Sequence, residues 1–384
     1  MPRPSSVGLS GGDEHPPPGR AAVGMSNKRR EQDGQNPRVA GGGDKKPRRG
    51  REHLYLLLDD WDKGFSIHKI DADSFDTTTN DGLQSGVAGH LPEPPALRLE
   101  SPAGHVPRNG MSFAALGTKI FAFMTQRCGL VYDSDTAVLA IGAHAPPKML
   151  CGFGVTVAIG EVIYALTYRF FEGQHSFEAM SWEHPTEGWS WKTLPPPPSA
   201  FRSRVNSYVL HPDGCTIFMT TANNGCLGTY SFNTKDSAWR WHGEWALPFV
   251  GQAHFDGETN SWVGLRWDGY ICSCKVVSPD CLNTAPDWQM TKEKLFHKDR
   301  QRHMRASLTS MGTNRFCLVQ CVKREEVGEG PALGDHDGCV LHLTIFGLKY
   351  NHKGELQTTD HHQSTRSFIV SRYRDHFAPI AFWM

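Results

Sequence analysis

No run of about eighteen apolar residues occurs anywhere in the 384 positions of this chain, which excludes a membrane-spanning helix. The opening MPRPSSVGLSGGDEHPPP has no apolar middle of the secretory kind, so an intracellular protein is expected. Its ten cysteines contain no C-x-x-C pair and fall at irregular spacings, so reduced thiols are expected rather than a disulfide framework or a zinc ribbon. G-x-S-x-G, the P-loop and H-E-x-x-H are all missing, and with them the local signatures of the α/β-hydrolase, the P-loop nucleotidase and the zinc protease. Helical periodicity is nearly absent too. Only TKEKLFHKDRQRHM, from Thr291 to Met304, has the pattern of a short helix.

Net charge is also missing, forty basic residues against forty acidic, but the balance hides an asymmetry. Residues 1–51 hold eleven Lys/Arg and five Asp/Glu, a net +6, and the remaining 333 are therefore net −6. The first fifty residues are rich in Gly, Pro, Lys and Arg and have few large apolar side chains. They cannot bury enough surface to offset the entropy of ordering, and a disordered basic tail is expected over 1–51. Lys28, Arg29 and Arg30, then Lys45, Lys46, Arg48 and Arg49, form two basic clusters with a flexible spacer, the spacing of a bipartite nuclear import signal. A solvated tail that meets nucleic acid only through non-specific phosphate contact is the alternative.

What the chain does have, from residue 52 to 384, is β texture. HLYLLLDDW and FSIHKIDADSF are a short apolar run and a period-two alternation, and the same texture recurs to the last residue. One unit repeats: strand, glycine turn, apolar strand, in AALGTKIFAFM, TVAIGEVIYALTY, YVLHPDGCTIFMTT, AHFDGETNSWVGL and LTSMGTNRFCLVQ. Its glycines are Gly117, Gly160, Gly214, Gly257 and Gly312, separated by 43, 54, 43 and 55 residues. A second hairpin follows each, the last of them HLTIFGLKYNHKGELQT, so a unit is four strands in about fifty residues, the size of a propeller blade. With the segment from His53 to Ser101 as a partial sixth, an all-β, six-bladed propeller is expected. Its ring would close by SFIVSRY or PIAFW joining the blade that HLYLLLDDW begins.

ALGTKIFAF, VYDSDT, SFNTKDSAWRWHGEWALP and SWEHPTEGWSWKTLPPPP resemble the hairpins of kelch repeats, although the Gly-Gly pair that usually ends the second kelch strand is missing. HLYLLLDDWDKGFSIHKID, HPDGCTIFMTT, WRWHGEWALPF, DGYICSC and GELQTTDH more closely resemble a grass-expanded plant family, domain of unknown function 1668. The resemblance implies a propeller and a plant lineage. It supplies no catalytic residue.

Nine tryptophans, Trp182, Trp189, Trp191, Trp239, Trp241, Trp245, Trp262, Trp267 and Trp288, fall on outer hairpins or the strands beside them. Packing between blades, with the indole N–H on a backbone carbonyl, is the expected use, and an exposed aromatic platform for a peptide or sugar is the alternative. Cys272 with Cys274, and Cys317 with Cys321, share strand faces and read as buried thiols. Asp335, His336 and Asp337 in GDHDGC form the most metal-like loop, but neighbours on a strand point to opposite faces, so no metal or other cofactor is assigned. His361 and His362 read as solvated turn residues.

The sites where chain enters the innermost strands carry Arg108, Lys148, Arg202, Arg204, His254, His303 and Arg305. Gathered on one face, they would form a cationic ring in an acidic body, suited to an acidic segment of a protein partner; solvated side chains paired with nearby carboxylates are the alternative. The reading is a monomeric, non-enzymatic interaction module in the nucleus or cytoplasm. A propeller enzyme or carbohydrate-binding protein with a site at the channel mouth is the competing class. No helical adaptor-binding segment precedes His53, so a ligase adaptor would have to bind the propeller itself.

Overall fold

The computed structural model describes residues 52–75, 88–100, 111–125, 128–146, 153–169, 174–183, 188–198, 204–223, 226–296, 300–325, 334–359, 364–374 and 378–384. All belong to the compact unit Arg51–Met384. The basic clusters of the tail, together with Arg108, Lys148, Arg202, His361 and His362, lie outside the described residues.

The strands follow one another with short turns. Leu54–Trp61 (β1) and Gly64–Ile70 (β2) form a hairpin, followed by Gly89–His90 (β3) and Leu97–Glu100 (β4). Ser112–Leu116 (β5), Lys119–Thr125 (β6), Cys128–Asp133 (β7) and Val138–Ile141 (β8) form one antiparallel sheet in chain order. Val155–Ile159 (β9), Val162–Arg169 (β10), Gln174–Glu183 (β11) and Gly188–Thr193 (β12) form the next. Val205–Leu210 (β13), Thr216–Asn223 (β14), Cys226–Asn233 (β15) and Ala238–Gly243 (β16) make a third such run. Gly251–Asp256 (β17), Ser261–Leu265 (β18), Ile271–Lys275 (β19) and Trp288–Met290 (β20) make a fourth, and a parallel pairing of β13 with β17 joins the two into eight strands.

His303–Ser310 (β21), Phe316–Lys323 (β22) and Gly334–Phe346 (β23) begin the last run. Leu348–Tyr350 (β24) and Leu356–Thr358 (β25) stand apart as a small hairpin, and Ser364–Arg372 (β26) returns to pair with β23. Ile380–Trp383 (β27) pairs antiparallel with β1, giving the order β27-β1-β2-β4.

Three sequence expectations change at this level. GLKYNHKGELQT is not the outer hairpin of its unit. SFIVSRY, as β26, supplies that outer strand, and so PIAFW, as β27, joins the first run. Gly117 and Gly160 do turn their hairpins with φ of +56° and +57°, a conformation a Cβ disfavours, but at the Gly257 turn Asn260 takes the positive φ, +48°. Asn visits that region more readily than most residues, and Asp256 Oδ2 accepts from Thr259 N at 2.8 Å to brace the loop. Among the described residues, TKEKLFHKDRQRHM contains only the 3-10 turn Arg300–Arg302 before β21 begins.

Strands inside the runs, such as β1, β18 and β22, bury both faces because each run packs against the next, whereas the outermost strands β8 and β20 stay exposed. Tyr55, Leu57 and Phe65 of the first meet Phe113, Ile120 and Tyr132 of the second. Phe121, Phe123 and Val131 meet Ile163, Met180, Trp189 and Trp191. Val157 and Phe177 meet Ile217, Met219 and Phe232; Val209 and Phe218 meet Trp262, Cys272 and Cys274; Val263 and Ile271 meet Leu308, Phe316 and Leu318. The last run packs back on the first, Cys317, Val319 and Leu341 against Leu54, Leu56 and Leu58. Each buried Leu, Ile or Phe contributes about 1.5–3 kcal/mol of transfer free energy, and these six apolar seams hold the sheets face to face.

Several tryptophans serve those seams as the sequence implies. Trp191 donates its indole N–H to His144 O at 2.8 Å, and Trp239 donates to Pro195 O at 2.9 Å, each reaching a neighbouring run. Trp189 sets its ring edge-on to Phe121 at 4.8 Å. Trp182, Trp241, Trp267 and Trp288 keep exposed area instead, Trp267 the most at 62%.

Candidate functional site

The first strand of each run, β27, β5, β9, β13, β17 and β21, contributes to the wall of a single cavity of about 890 Å³. Four of these strands, β13, β17, β21 and β27, share a direction. β13 and β17 pair in parallel register, His254 of β17 meets Leu308 of β21, and Ser307 and Thr309 of β21 meet Pro379 and Ala381 in ascending order. Asp256 at the end of β17 also accepts from Asn314 N just beyond β21, so the N-terminal ends of β13, β17, β21 and β27 share one face of the cavity.

Polar side chains on these strands stitch neighbour to neighbour. Ser112 Oγ accepts from Phe153 N at 3.0 Å, linking the second run to the third. Tyr208 hydrogen-bonds to the Thr156 backbone on one side and points its hydroxyl at Gln252 Oε1, 3.5 Å away, on the other. Burial pushes the Tyr208 phenol up to about 12, so it stays a neutral hydroxyl across the physiological range. His254 sets Nε2 3.1 Å from Leu308 O, which fixes that nitrogen as the N–H donor, and Ser307 Oγ and Thr309 Oγ1 each donate to a β27-side carbonyl at 3.0 Å. Between β27 and β5 the link is apolar, Phe382 and Met384 against Phe113 and Met111.

The seven basic positions foreseen from sequence separate. Of the four that are described, His254 alone lines the cavity, and it brings no charge there: burial lowers its pKa, and the bond to Leu308 O offsets this only in part. His303 stacks on Phe296 at a centroid distance of 4.3 Å and faces Gln320 Nε2 through Nδ1 at 3.0 Å, off the cavity wall. Arg204 directly precedes β13 and Arg305 lies near the start of β21; both are exposed. They sit on the face where the parallel strands begin. Among the described lining residues there is no Asp, Glu, Lys or Arg.

The residues that sequence reasoning passed over are the neutral ones: Ser112, Tyr208, Gln252, Ser307 and Thr309. They fall on four of the six first strands, Ser112 on β5, Tyr208 on β13, Gln252 on β17, and Ser307 with Thr309 on β21, and so leave no regular repeat in the sequence. At the opposite end of β13, His211 lines the cavity and lies 3.1 Å from Asp213 Oδ2. Asp213 also accepts from Cys215 N, Thr216 N and Thr216 Oγ1 at 2.7–2.9 Å. Burial alone would raise its pKa, but those bonds and His211 together hold it at about 2.

No curated protein matches the chain. Similar solved structures include a structural genomics protein of unknown function from Bacteroides thetaiotaomicron VPI-5482, 12% identical with a TM-score of 0.43, over 82% of this chain and 64% of that one. TolB from Acinetobacter baumannii is 12% identical with a TM-score of 0.43, over 86% and 66%. A putative 6-phosphogluconolactonase from Bacteroides uniformis ATCC 8492 is 12% identical with a TM-score of 0.42, over 87% and 100%. These neighbours are propeller-like folds, and the chain spans just under two thirds of the length of the first two. Residues 51–366 match the family described as Protein of unknown function (DUF1668), and the chain belongs to that family.

Proposed function

We propose that this chain is a six-bladed, kelch-like β-propeller that works as a non-enzymatic interaction module. Its partner is a protein with an acidic segment, held over the face on which the first strands begin. Five four-stranded runs and a sixth, β21-β22-β23-β26, which β3 extends to five strands, are packed each on the next and all contribute to one cavity, which supports the blade count. The observation that carries the functional reading is the placement of Arg204 and Arg305, exposed and at the same ends of β13 and β21, two strands that run in one direction on either side of β17. Guanidinium forks match carboxylates bidentately, and a positive face on a body of net −6 would steer an acidic partner to that face. On this reading the protein acts as a monomer in the nucleus or cytoplasm, and its tail meets nucleic acid only non-specifically.

The test compares full-length wild type with an Arg204→Glu, Arg305→Glu double variant in affinity purification from native tissue. The expected result is loss of an acidic partner with an unchanged melting curve; an unaltered partner set would overturn the reading. A second reading, a propeller enzyme or carbohydrate-binding protein with a site at the channel mouth, is favoured by one observation. The cavity combines neutral hydroxyl and amide groups with the ring of Trp383, a lining suited to a neutral polyol. Chemical-shift changes at Tyr208 and Gln252 on addition of an oligosaccharide would support it.

A further inference from the structure

Of the eight cysteines described as thiols, Cys272, Cys274 and Cys317 are inert by placement. Cys272 and Cys274 lie two apart on β19; burial drives the Cys272 thiol upward and the Cys274 thiol up to about 12. Cys317 is likewise buried and pushed up to about 12. Cys321 and Cys339, 2% and 0% exposed, are as buried but lie beside each other. β22 and β23 are adjacent antiparallel strands in which Cys321 faces Leu341 and Lys323 faces Cys339, so the two cysteines are diagonal neighbours on one face. Their thiols hydrogen-bond to each other.

Two further groups converge on the pair. β21 shifts register between His303 and Arg305, and Met304, at that irregularity, sets Sδ 3.6 Å from Cys339 Sγ. Arg372 of β26, only 4% exposed, brings Nη1 to 3.8 Å from the same Sδ. The hydrogen bond from Cys321 and the positive charge of Arg372 together lower the Cys339 pKa against the upward pull of burial, while Cys321 moves up. Within the pair Cys339 is the thiol that loses its proton more readily and Cys321 the one that donates to it, the arrangement of an attacking and a resolving cysteine.

We propose that Cys321 and Cys339 form a reversible dithiol–disulfide couple whose oxidant is hydrogen peroxide. The Cys339 thiolate attacks one peroxide oxygen, the O–O bond breaks, and the leaving hydroxide takes a proton to become water, which leaves Cys339 as a sulfenic acid. The Cys321 sulfur then attacks the sulfenic sulfur, the S–O bond breaks, and hydroxide leaves with the Cys321 proton as a second water. Two thiols and one peroxide give one disulfide and two waters, each sulfur losing one electron. A dithiol reductant reverses it by exchange.

The full-length reduced protein is treated with hydrogen peroxide, denatured in an alkylating agent, and digested without reduction. The expected product is a peptide pair joined through Cys321 and Cys339, with two fewer alkylated thiols per chain, both restored by dithiothreitol. Cys272, Cys274 and Cys317 should remain alkylated as before. Cys321→Ser should convert the outcome to a sulfenic acid on Cys339, trapped by dimedone. The wild-type digest stands without that variant: full alkylation of Cys321 and Cys339 after peroxide, or cross-linking spread across the other cysteines, would overturn the proposal.

Discussion

His53 and Met384, 331 positions apart, exchange backbone hydrogen bonds: His53 N donates to Met384 O at 2.7 Å, and Met384 N to His53 O at 3.2 Å. The exchange continues the β27–β1 ladder, in which Leu54 faces Trp383 and Leu57 faces Ile380. Thr309 ties the same strand to β21 through Ala381 O. β27 is therefore held on both sides, and without it β1 presents an unpaired edge. A chain ending at residue 379 should lose its cooperative unfolding transition and aggregate. Thr309→Val, which keeps the volume but removes the donor, should lower stability by about 1 kcal/mol, read from the denaturant midpoint.

The Asp213 turn should be among the larger single-residue contributions outside the apolar seams. Its carboxylate accepts two backbone N–H groups and the Thr216 hydroxyl, and its folded pKa of about 2 lies below the ordinary 3.8. A depressed carboxylate pKa gives stability that is fully present above about pH 4 and is lost as pH falls toward 2. The group is partly exposed, so screening reduces the effect, and Asp213→Ala should cost about 1–2 kcal/mol at pH 7. The difference from wild type should narrow in denaturation curves taken near pH 2.

How much of this was legible in the sequence depended on how local each signal is. Gly117 and Gly160 turned their hairpins as the repeat implied, because a positive φ is written in a single residue. The roles of β26 and β27 were not separable, since two short apolar strands near one end look alike until their partners, β23 and β1, are known. His254 illustrates the limit at the site. Its position in the repeat marked it for the channel face, and it lines the cavity, but its charge state follows from burial and from Leu308 O, which lies on another strand 54 residues away. Cys339 is similar: its distinction from Cys317 comes from Cys321 and Arg372, not from its own neighbours in sequence.

Two buried serines should respond in opposite directions. Ser207 on β13 is fully buried, and its hydroxyl has no hydrogen-bond partner among the described residues. Ser273 on β19 donates to Ser261 Oγ at 2.8 Å and lies 2.6 Å from the Tyr350 hydroxyl. Removing an unsatisfied hydroxyl recovers its desolvation cost, so Ser207→Ala should stabilise by about 1 kcal/mol, whereas Ser273→Ala should destabilise by about 1–2 kcal/mol. Equal shifts in the two melting temperatures would contradict this.

Asp59 should give the fold an opposite pH dependence in a higher window. It lies at the end of β1, 5% exposed, and Oδ2 accepts from Arg374 N at 2.6 Å. Burial raises its pKa to about 6, and the Arg374 amide and Arg372 charge recover only part of that rise. Between about pH 4 and 6 the folded chain therefore binds more protons at this site than the unfolded chain, so this contribution to stability falls as pH rises through the window. The full effect is about 3 kcal/mol, two pKa units at 1.36 kcal/mol each with a small remainder. Asp59→Asn keeps an acceptor for Arg374 N and cannot ionise. Subtracting its denaturant midpoints from those of wild type at each pH cancels every other titrating group, and the wild-type value should drop relative to the variant from pH 4.5 to 6.5. A flat difference across that range would show that Asp59 ionises in the folded chain as freely as in the unfolded one.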